Sequence, residues 1–530
     1  MMKKIGTLLC AMVLVGGIAG CGHNSQSGTV ASTDRRGTLV NDPPLRVASL
    51  SASGLAAELT AMPSGAALLQ LAGAPVCGVD VYYLKYWTVA PDDSPQLASA
   101  ALMVPTGSSS TCSGPRPIVE YAHGTATAST YDIADVSNPS NPASAESAII
   151  AAVFAAHGYI VVAPNYLGYD ISTLGYHPYV DGAENAIVMM DALTAARKAL
   201  LSTFTPNTSD DGRLYITGYS EGGYVAMATV KAMQAAGETV TASAPSSGPY
   251  ALEAFADAIF FGQVDIGATV FAPLITTSYQ HAYGNVYSQT SDIYSPTYAT
   301  GIDTLLPSTT PLDTLFQDGK LPESALFDST TPTSSTGIAA VDTTADELLA
   351  LPSSAQYGAS LAALFDAGFG TPYLVNNSYR VAYVDDAIIH PDQAEMAILN
   401  HQALTSGDVA LAASPSIGLR QDLNLNDMRN GGWAPEEPML MCGGDEDPEV
   451  FFMNTQIMAA QWSAYLGTLV NVLDLNATPS GSFAQLQSAF QATYAGLVAS
   501  EGASTAIQAY HTTEVPFCMV AARDFFGQVQ

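Results

Sequence analysis

The chain has 530 residues, of which 48% are hydrophobic and 12% are charged, and its formal net charge is −32. This hydrophobic content supplies a large buried core and excludes a chain that is disordered throughout. A protein this acidic repels phosphate backbones and anionic lipid surfaces, so the composition argues against a nucleic-acid-binding function.

The N-terminal segment is typical of an export signal. Lys3 and Lys4 precede an apolar run over 5–18, which is shorter than the roughly 20 residues that span a bilayer. The run ends in IAGC, and small residues before a cysteine resemble the bacterial lipoprotein signal. We therefore expect residues 1–20 to be removed and Cys21 to carry the lipid. The exported protein is then anchored to the cell-envelope membrane, the outer membrane if the host is Gram-negative. An ordinary secretory signal is the alternative.

The first part of the remaining chain is polar and then strand-like. Residues 21–45 are rich in Ser, Thr and Gly, which is typical of a flexible tether. From about residue 75, VDVYYLKYWTV, LASAALMVP and IVEYAHG have the composition of three strands. Cys77 begins the first strand and Cys112 lies just before the third. A disulfide between them is plausible if these strands are neighbours.

Strands and helices alternate along the next segment. Residues 143–157 and 183–200 have helical patterns, and a third helical pattern ends at Gly237. YIVVAPN, RLYITGY and VTASAPS lie between and after these helices and are typical of buried strands. This alternation predicts βαβ units and therefore an α/β fold, with a mostly parallel sheet and helices on both faces, over residues 46–250.

The alternation stops near residue 250 and resumes at PMLMCGG. TLVNVLDL is predicted as the last strand, and residues 482–499 as a helix after it. The simplest interpretation is one α/β domain whose core is completed by residues 431–530 and interrupted by a cap over 251–430. A second independent domain is the alternative. No later stretch has about 18 uninterrupted apolar residues, so we expect no transmembrane helix.

The sequence GYSEGG at 218–223 fits the pattern G-x-S-x-G. A predicted strand precedes it and an alanine-rich helix follows it, which is the setting that lifts a serine off the end of a strand as a nucleophile. The N-terminus of the following helix points positive partial charge at an oxyanion beside Ser220. The alternative is a tight turn with an unimportant serine.

A serine nucleophile needs a base, which in enzymes with this turn follows the acid in sequence. Three of the histidines after Ser220 fall in the predicted cap: His281, His390 and His401. His511 alone follows the resumed sheet, and we therefore predict it as the base. We place it in a loop before a helix that begins at Pro516.

Several motifs resemble those of the secretory lipase and esterase branch of the α/β-hydrolases. They are YAHGT at 121–125, the segment NYLGYD to HPYVDG at 165–182, the GYSEGG turn, and the run LNLNDMRNGGWAPEEPMLMCGGDEDPEV at 423–450. The resemblance covers about 75–250 and 420–530 and omits the cap. It implies the α/β-hydrolase fold and the hydrolysis of carboxylic esters.

The same resemblance bears on individual residues. Asn165 stands where the family often has Asp, so we give it no catalytic role, and we expect Tyr166 and His177 to shape the loop beside the site. His123 in YAHGT suits a similar role better than catalysis. The oxyanion donors are expected to be the backbone N–H of Glu221 and that of Thr125, with Gly124 as the alternative to Thr125.

Acidic residues follow the strand PMLMCGG: Asp445, Glu446, Asp447 and Glu449. Asp447 matches the G-x-x-D-x-x-V loop of many α/β-hydrolases, so we predict it as the acid, with Asp445 as the alternative. The acid must contact His511. That contact brings Cys442 near Cys518, which predicts a second disulfide. Two free buried cysteines are the alternative.

No phosphate-binding loop, dinucleotide fingerprint or zinc-ligand spacing is found in the sequence, so we expect no cofactor and no metal. The sequence therefore predicts a lipid-anchored serine esterase or lipase acting on a small-molecule or lipid ester. A peptidase or amidase, an acyltransferase, and a non-catalytic surface lipoprotein are the alternatives.

Overall fold

The computed structural model of the protein describes residues 35–62, 64–201, 208–357 and 359–529. The predicted signal peptide and Cys21 lie outside these ranges. Within them, no helix combines the length and the apolar character that crossing a membrane requires.

The described residues form eleven strands: β1 (Leu45–Leu50), β2 (Gly78–Val89), β3 (Pro95–Thr106), β4 (Gly114–Ala122), β5 (Ile160–Pro164), β6 (Thr208–Tyr219), β7 (Ala242–Ser246), β8 (Phe327–Asp328), β9 (Phe369–Gly370), β10 (Met439–Gly443) and β11 (Val470–Asp474). The same residues form eighteen α-helices: α1 (Ala52–Ala61), α2 (Gly65–Ala72), α3 (Ser144–Val153), α4 (Gly182–Leu200), α5 (Glu221–Ala236), α6 (Leu252–Phe260), α7 (Ala268–Tyr283), α8 (Leu312–Gln317), α9 (Ala339–Leu349), α10 (Ser354–Tyr357), α11 (Ala359–Asp366), α12 (Asn377–Ile389), α13 (Gln393–Leu399), α14 (Gly418–Asn426), α15 (Met453–Gln461), α16 (Ala484–Glu501), α17 (Ala503–Gln508) and α18 (Tyr510–Gln528).

Nine strands form one sheet in the order β1-β2-β3-β5-β4-β6-β7-β10-β11. The strands β1, β2, β3 and β5 pair antiparallel in succession, and every pair from β5 to β11 is parallel. All residues of β5, β7 and β10 are buried. Strands covered on both faces typically have continuous apolar runs, and β5 (IVVAP) and β10 (MLMCG) have them, whereas β7 (ASAPS) is buried with small side chains.

Two groups of helices cover the sheet. Helices α4 and α5 pack against each other and against its central strands, whereas α18 packs against α2, α3 and α16 and against β6, β7 and β10. The carboxyl ends of the parallel strands therefore meet at one edge of a three-layer core, and the loops at that edge can converge on a common site.

Part of the predicted tether is held against this core. Arg36 pairs with Asp191 of α4 at 2.9 Å, and the N–H of Gly37 donates to the carbonyl of Trp87 in β2. The expected flexible tether over 21–45 therefore does not extend to residue 45, because residues 35–45 make tertiary hydrogen bonds and β1 joins the sheet edge.

Both predicted disulfides are present. Cys77 is bonded to Cys112 with a Cα–Cα distance of 5.3 Å, and Cys442 is bonded to Cys518 with a Cα–Cα distance of 5.6 Å. The first joins the segments that lead into β2 and β4. The second joins the end of β10, the strand next to the sheet edge formed by β11, to α18, so it ties that strand to a helix on one face of the sheet.

The chain between β7 and β10 contains helices α6 to α14, and these helices are joined by buried ion pairs. Arg420 of α14 binds Asp257 of α6 at 2.8 Å and Asp386 of α12 at 2.9 Å, and its guanidinium is fully buried. Arg429 binds Asp392 and Asp427 at 2.7 Å each. A buried charge is tolerated where opposite charges and hydrogen bonds surround it, and these pairs meet that condition.

Candidate active site

Ser220 lies at a sharp turn between β6 and α5. Its φ of 60° and ψ of −127° are unusual for a residue with a side chain, and this strain is typical of the serine turn in hydrolases. The flanking glycines are needed because a Cβ atom on Gly218 would collide with the carbonyl of Gly222, and one on Gly222 would collide with that of Ala122. The turn therefore holds Ser220 at the carboxyl end of the central strand.

His511 and Asp447 meet beside this turn. The Nδ1 atom of His511 lies 2.6 Å from Oδ2 of Asp447, and both side chains are buried. The other carboxylate oxygen, Oδ1, accepts the N–H groups of Glu449 at 2.9 Å and Val450 at 3.2 Å. The carboxylate is thus oriented by its own loop, and it holds the imidazole through Nδ1, which leaves Nε2 for other chemistry.

The location of His511 differs from the prediction. It is the second residue of α18, and Pro516, which we expected to begin a helix, lies inside this helix. The N–H of Thr513 already donates to the carbonyl of Ala509 at 2.9 Å, so the helix is established before the proline. Pro516 removes one helical hydrogen bond, but Phe517 and the residues after it are buried against the core, and this packing offsets the loss.

The Nε2 atom of His511 is buried and has no hydrogen-bond partner among the described residues. It is the ring nitrogen that faces away from Asp447. Asp445, the alternative acid, is exposed, and its backbone N–H donates to Asp474. No hydrogen bond or ion pair joins Asp445 to His511 in the described ranges, so the geometry favours Asp447.

A second carboxyl group, that of Glu514, lies behind the His511–Asp447 pair. Its Oε1 atom accepts the Tyr219 hydroxyl at 2.6 Å and the Ser247 hydroxyl, and it lies 4.0 Å from Nδ1 of His511. Burial and the neighbouring Asp447 raise the pKa of Glu514 well above its ordinary value. Burial raises the pKa of Asp447 to about 7, against the opposing effect of its two backbone donors. The surroundings of Glu514 therefore favour its neutral form over a second negative charge beside Asp447.

The YAHGT loop passes close to Ser220. A Cβ atom on Gly124 would lie 3.7 Å from that of Ser220. The N–H of Gly124 donates to Oε1 of Glu146 at 3.0 Å, so this donor is already engaged and Gly124 does not suit the oxyanion role. The Thr125 hydroxyl is hydrogen-bonded to that of Tyr179 at 2.9 Å. Thr125 and Glu221 remain the predicted backbone donors.

The other residues that we expected to shape the loop are fully hydrogen-bonded or stacked. The ring of His123 lies between those of Tyr131 and Tyr166, at centroid distances of 4.4 and 4.0 Å, and burial lowers the pKa of His123. His177 is bonded through Nε2 to Glu221 at 2.6 Å. Asn165 accepts the N–H of Ile133 and donates to Ser99. These contacts stabilise the loops around Ser220.

An apolar cavity opens at Ser220. Its volume is about 110 Å³, and its walls come from the serine turn, the loop that contains Asp447 and the helices between β7 and β10. Aliphatic and aromatic side chains dominate the walls, among them Leu252, Phe260, Phe271 and Leu423. Such a lining suits an acyl chain or an aromatic group.

Three side chains at this site have the spacing of metal ligands. One potential ligand atom from each of Asp447, His511 and Glu514 lies within 4.8 Å of the others. In this arrangement, however, Asp447 and His511 are bonded to each other at 2.6 Å and Glu514 is occupied by two hydroxyl groups. These hydrogen bonds account for the close approach of Asp447 and His511 and for one oxygen of Glu514, and no metal is assigned to the cluster.

Comparisons with known proteins agree with this architecture. The model of the prolyl oligopeptidase family matches residues 146–263, which include the serine turn. The esterase LipA from Xanthomonas oryzae, described as degrading the rice cell wall, is similar in structure. It is 23% identical, the match covers 93% of this chain and 100% of that chain, and the TM-score is 0.64. A putative hydrolase from Legionella pneumophila is 20% identical, with 93% and 98% covered and a TM-score of 0.61. No curated protein matches the sequence.

The sheet order, the serine turn and these structural likenesses together define the α/β-hydrolase fold, as the sequence predicted. The parallel strands carry the turn after β6 and the acid loop after β10, and α18 carries the histidine.

Two contributors to the site were not found from the sequence. Glu514 lies three residues after His511, a spacing that places two side chains on one face of a helix, but we had placed His511 in a loop. Asp265 lines the cavity from the segment between α6 and α7, where no motif marks it. Recognition of a helix starting at residue 510 would have revealed Glu514.

Proposed function

We propose that this protein is a serine hydrolase that cleaves carboxylic esters. One observation carries the proposal: the buried Asp447–His511 pair, whose Nε2 has no partner among the described residues, contacts Tyr219, and the next residue, the strained Ser220, lines an apolar cavity. In this proposal Ser220 is the nucleophile, His511 the general base and Asp447 the acid that orients the imidazole.

The reaction proceeds in two halves. Ser220 Oγ attacks the ester carbonyl while His511 Nε2 takes its proton, and the N–H groups of Glu221 and Thr125 stabilise the negative charge on the carbonyl oxygen. His511 then protonates the leaving alcohol, and an acyl-enzyme remains. Water attacks this acyl-enzyme with His511 again as base, which releases the carboxylic acid and restores the Ser220 hydroxyl.

Export and a lipid anchor are part of the proposal. Two disulfides suit an oxidising compartment, which supports export. Attachment of lipid at Cys21 is tested by growing the producing bacterium with a labelled fatty acid. The wild type is expected to take up the label and Cys21→Ser to lose it, and an unlabelled wild type contradicts the anchor.

The first test is hydrolysis of p-nitrophenyl esters from acetate to palmitate by wild type and by Ser220→Ala. We expect the variant to lose about 10⁴- to 10⁶-fold in kcat, because the nucleophile is removed. Ser278→Ala is the matched control, since Ser278 is also buried but lies outside the cavity lining. Activity that survives in Ser220→Ala contradicts the proposal, and the preferred chain length separates esterase from lipase.

A peptidase is the second candidate, because the prolyl oligopeptidase model matches the segment that contains Ser220. Amides of the same acyl groups distinguish the two. An ester hydrolase is expected to leave the p-nitroanilides essentially uncleaved, and efficient cleavage of the anilides favours the peptidase.

A further inference from the structure

Asp265 is a buried carboxyl group that lines the cavity and has no hydrogen-bond partner among the residues that the structure describes. The residue is 5% exposed, and neither of its carboxyl oxygens has a hydrogen-bond partner in another described residue. In the same region, Asp257 and Asp386 are bound by Arg420, and Glu395, whose carboxyl group also has no partner among the described residues, does not line the cavity. An unpaired buried polar group destabilises a protein, so its presence at a cavity wall indicates a polar group of a ligand.

Glu449 lies at the same end of the cavity. It follows Asp447 by two residues and lines the cavity together with Ser220 and Asp265. The segments of the two acids are joined, because the N–H of Ile266 donates to the carbonyl of Pro448 at 3.0 Å. Besides burial, the charge of Glu449 raises the pKa of Asp265, and both acids raise the pKa of the phenol of Tyr179, whose hydroxyl is hydrogen-bonded to that of Thr125. Polar groups thus gather near the nucleophile, while the rest of the cavity is apolar.

The surroundings favour the neutral form of both acids. Burial and the neighbouring Glu449 raise the pKa of Asp265 well above its ordinary value. Burial and the neighbouring Asp447 and Glu514 raise the pKa of Glu449. Among the charged neighbours of Glu449, which are Asp447, Glu514 and His511, only His511 lowers the pKa of Glu449. No Lys or Arg is among the described residues that line this cavity.

A neutral carboxyl group donates one hydrogen bond and accepts others, which matches the hydrogen-bonding pattern of a hydroxyl group. We propose that Asp265 and Glu449 form a hydroxyl-binding subsite beside Ser220, and that the preferred esters carry a free hydroxyl close to the ester bond. This inference rests on the proposed ester hydrolysis. The hydroxyl can belong to the acyl part or to the alcohol part of the substrate, and the two are distinguished by experiment.

Two matched pairs of esters test the subsite. Propyl butyrate is compared with glyceryl 1-monobutyrate for the alcohol side, and ethyl butyrate with ethyl 3-hydroxybutyrate for the acyl side. We expect the wild type to prefer the hydroxylated ester of at least one pair by about tenfold in kcat/KM, the effect of one well-formed hydrogen bond. The pair that shows the preference identifies the side that binds.

Two variants of Asp265 separate hydrogen bonding from charge. Asp265→Leu removes both the donor and the acceptor and is expected to abolish the preference. Asp265→Asn keeps a donor and an acceptor on a neutral group of the same shape and is expected to retain most of it. Glu446→Gln, on the exposed part of the same acid loop, is the control and should leave the preference unchanged. Thermal melting and labelling of Ser220 with a fluorophosphonate confirm that each variant is folded.

Other outcomes overturn the inference. Esters hydrolysed without any preference, or a preference that persists in Asp265→Leu, exclude the subsite while leaving the proposed function intact. A preference for 2-(dimethylamino)ethyl butyrate over its uncharged relatives, lost equally in Asp265→Asn and Asp265→Leu, identifies a charged cation site instead. A wild type that hydrolyses no ester contradicts both the proposed function and this inference.

Discussion

Asp447 and Asp445 are two residues apart on one loop, yet they are expected to differ completely in function. Asp447 contacts His511 and is buried, whereas Asp445 is exposed. We predict that Asp447→Asn lowers kcat by roughly 10⁴-fold, because the amide favours the wrong tautomer of the imidazole. Asp445→Asn is the matched control and should remain near wild type in the same ester assay. If Asp445→Asn is the inactive variant, the assignment of the acid is wrong.

At the scale of single residues, the sequence allowed predictions for residues that are marked by a local pattern or by their order along the chain. Ser220 followed from its glycine-rich turn, and His511 from the order of the chain. Asp447 was distinguished from Asp445 only by a family motif, because composition alone does not tell which carboxylate points inwards. Asp265 has no local signal, since its role depends on the packing of distant helices around a cavity.

Arg420 joins three elements of the insertion between β7 and β10. Its guanidinium is buried among Asp257 of α6, Asp386 of α12 and Glu253. We predict that Arg420→Met lowers the free energy of unfolding by about 3–5 kcal/mol, because buried carboxylates lose their counter-charge. Urea denaturation followed by circular dichroism measures the change.

Arg46→Met is the control for Arg420→Met. Arg46 also pairs with an aspartate, Asp80, but its side chain is 54% exposed. Water already solvates this pair, so its loss should leave the denaturation midpoint unchanged within error. Equal effects of the two substitutions would contradict the view that buried charges hold the insertion together.

At the scale of elements, buried strands and amphipathic helices of the core were predictable from their periodicity. The start of α18 was not, because Pro516 is a strong helix-start signal and tertiary burial overrides it in this chain. The helices of the insertion vary in length and are irregularly spaced, and ion pairs between distant positions join α6, α12 and α14. Such contacts leave no periodic pattern in the sequence.

The whole molecule is predicted to be more stable in mildly acidic than in alkaline solution. Burial raises the pKa of Glu184 and Glu253 to about 8 and that of Asp422 and Glu437 to about 7. Between about pH 4 and pH 8 the unfolded chain has lost these protons while the folded chain retains them. The folded state therefore binds more protons, and stability falls as the pH rises through this window.

The melting temperature at pH 5 and at pH 8, at constant ionic strength, measures this effect. We expect the higher value at pH 5, and repulsion within a chain of net charge −32 acts in the same direction. Acids whose pKa is lowered, such as Asp292 and Asp342, oppose the trend only below about pH 4. Burial lowers the pKa of His157 to about 4, so this single group opposes the trend between about pH 4 and pH 6.5, where the four raised acids outweigh it. Glu184→Gln should reduce the difference, and a higher melting temperature at pH 8 contradicts the prediction.

The insertion also determines the order in which the molecule can be assembled during synthesis. It connects the end of β7 to the start of the adjacent strand β10, so residues 247–438 must leave the ribosome before these two strands can pair. The nucleophile strand and its neighbours are complete long before that point, whereas the acid loop and the histidine helix emerge last. A nascent chain thus contains Ser220 before His511 can pack beside Tyr219, and under the proposed mechanism hydrolysis begins only when α18 packs on the sheet.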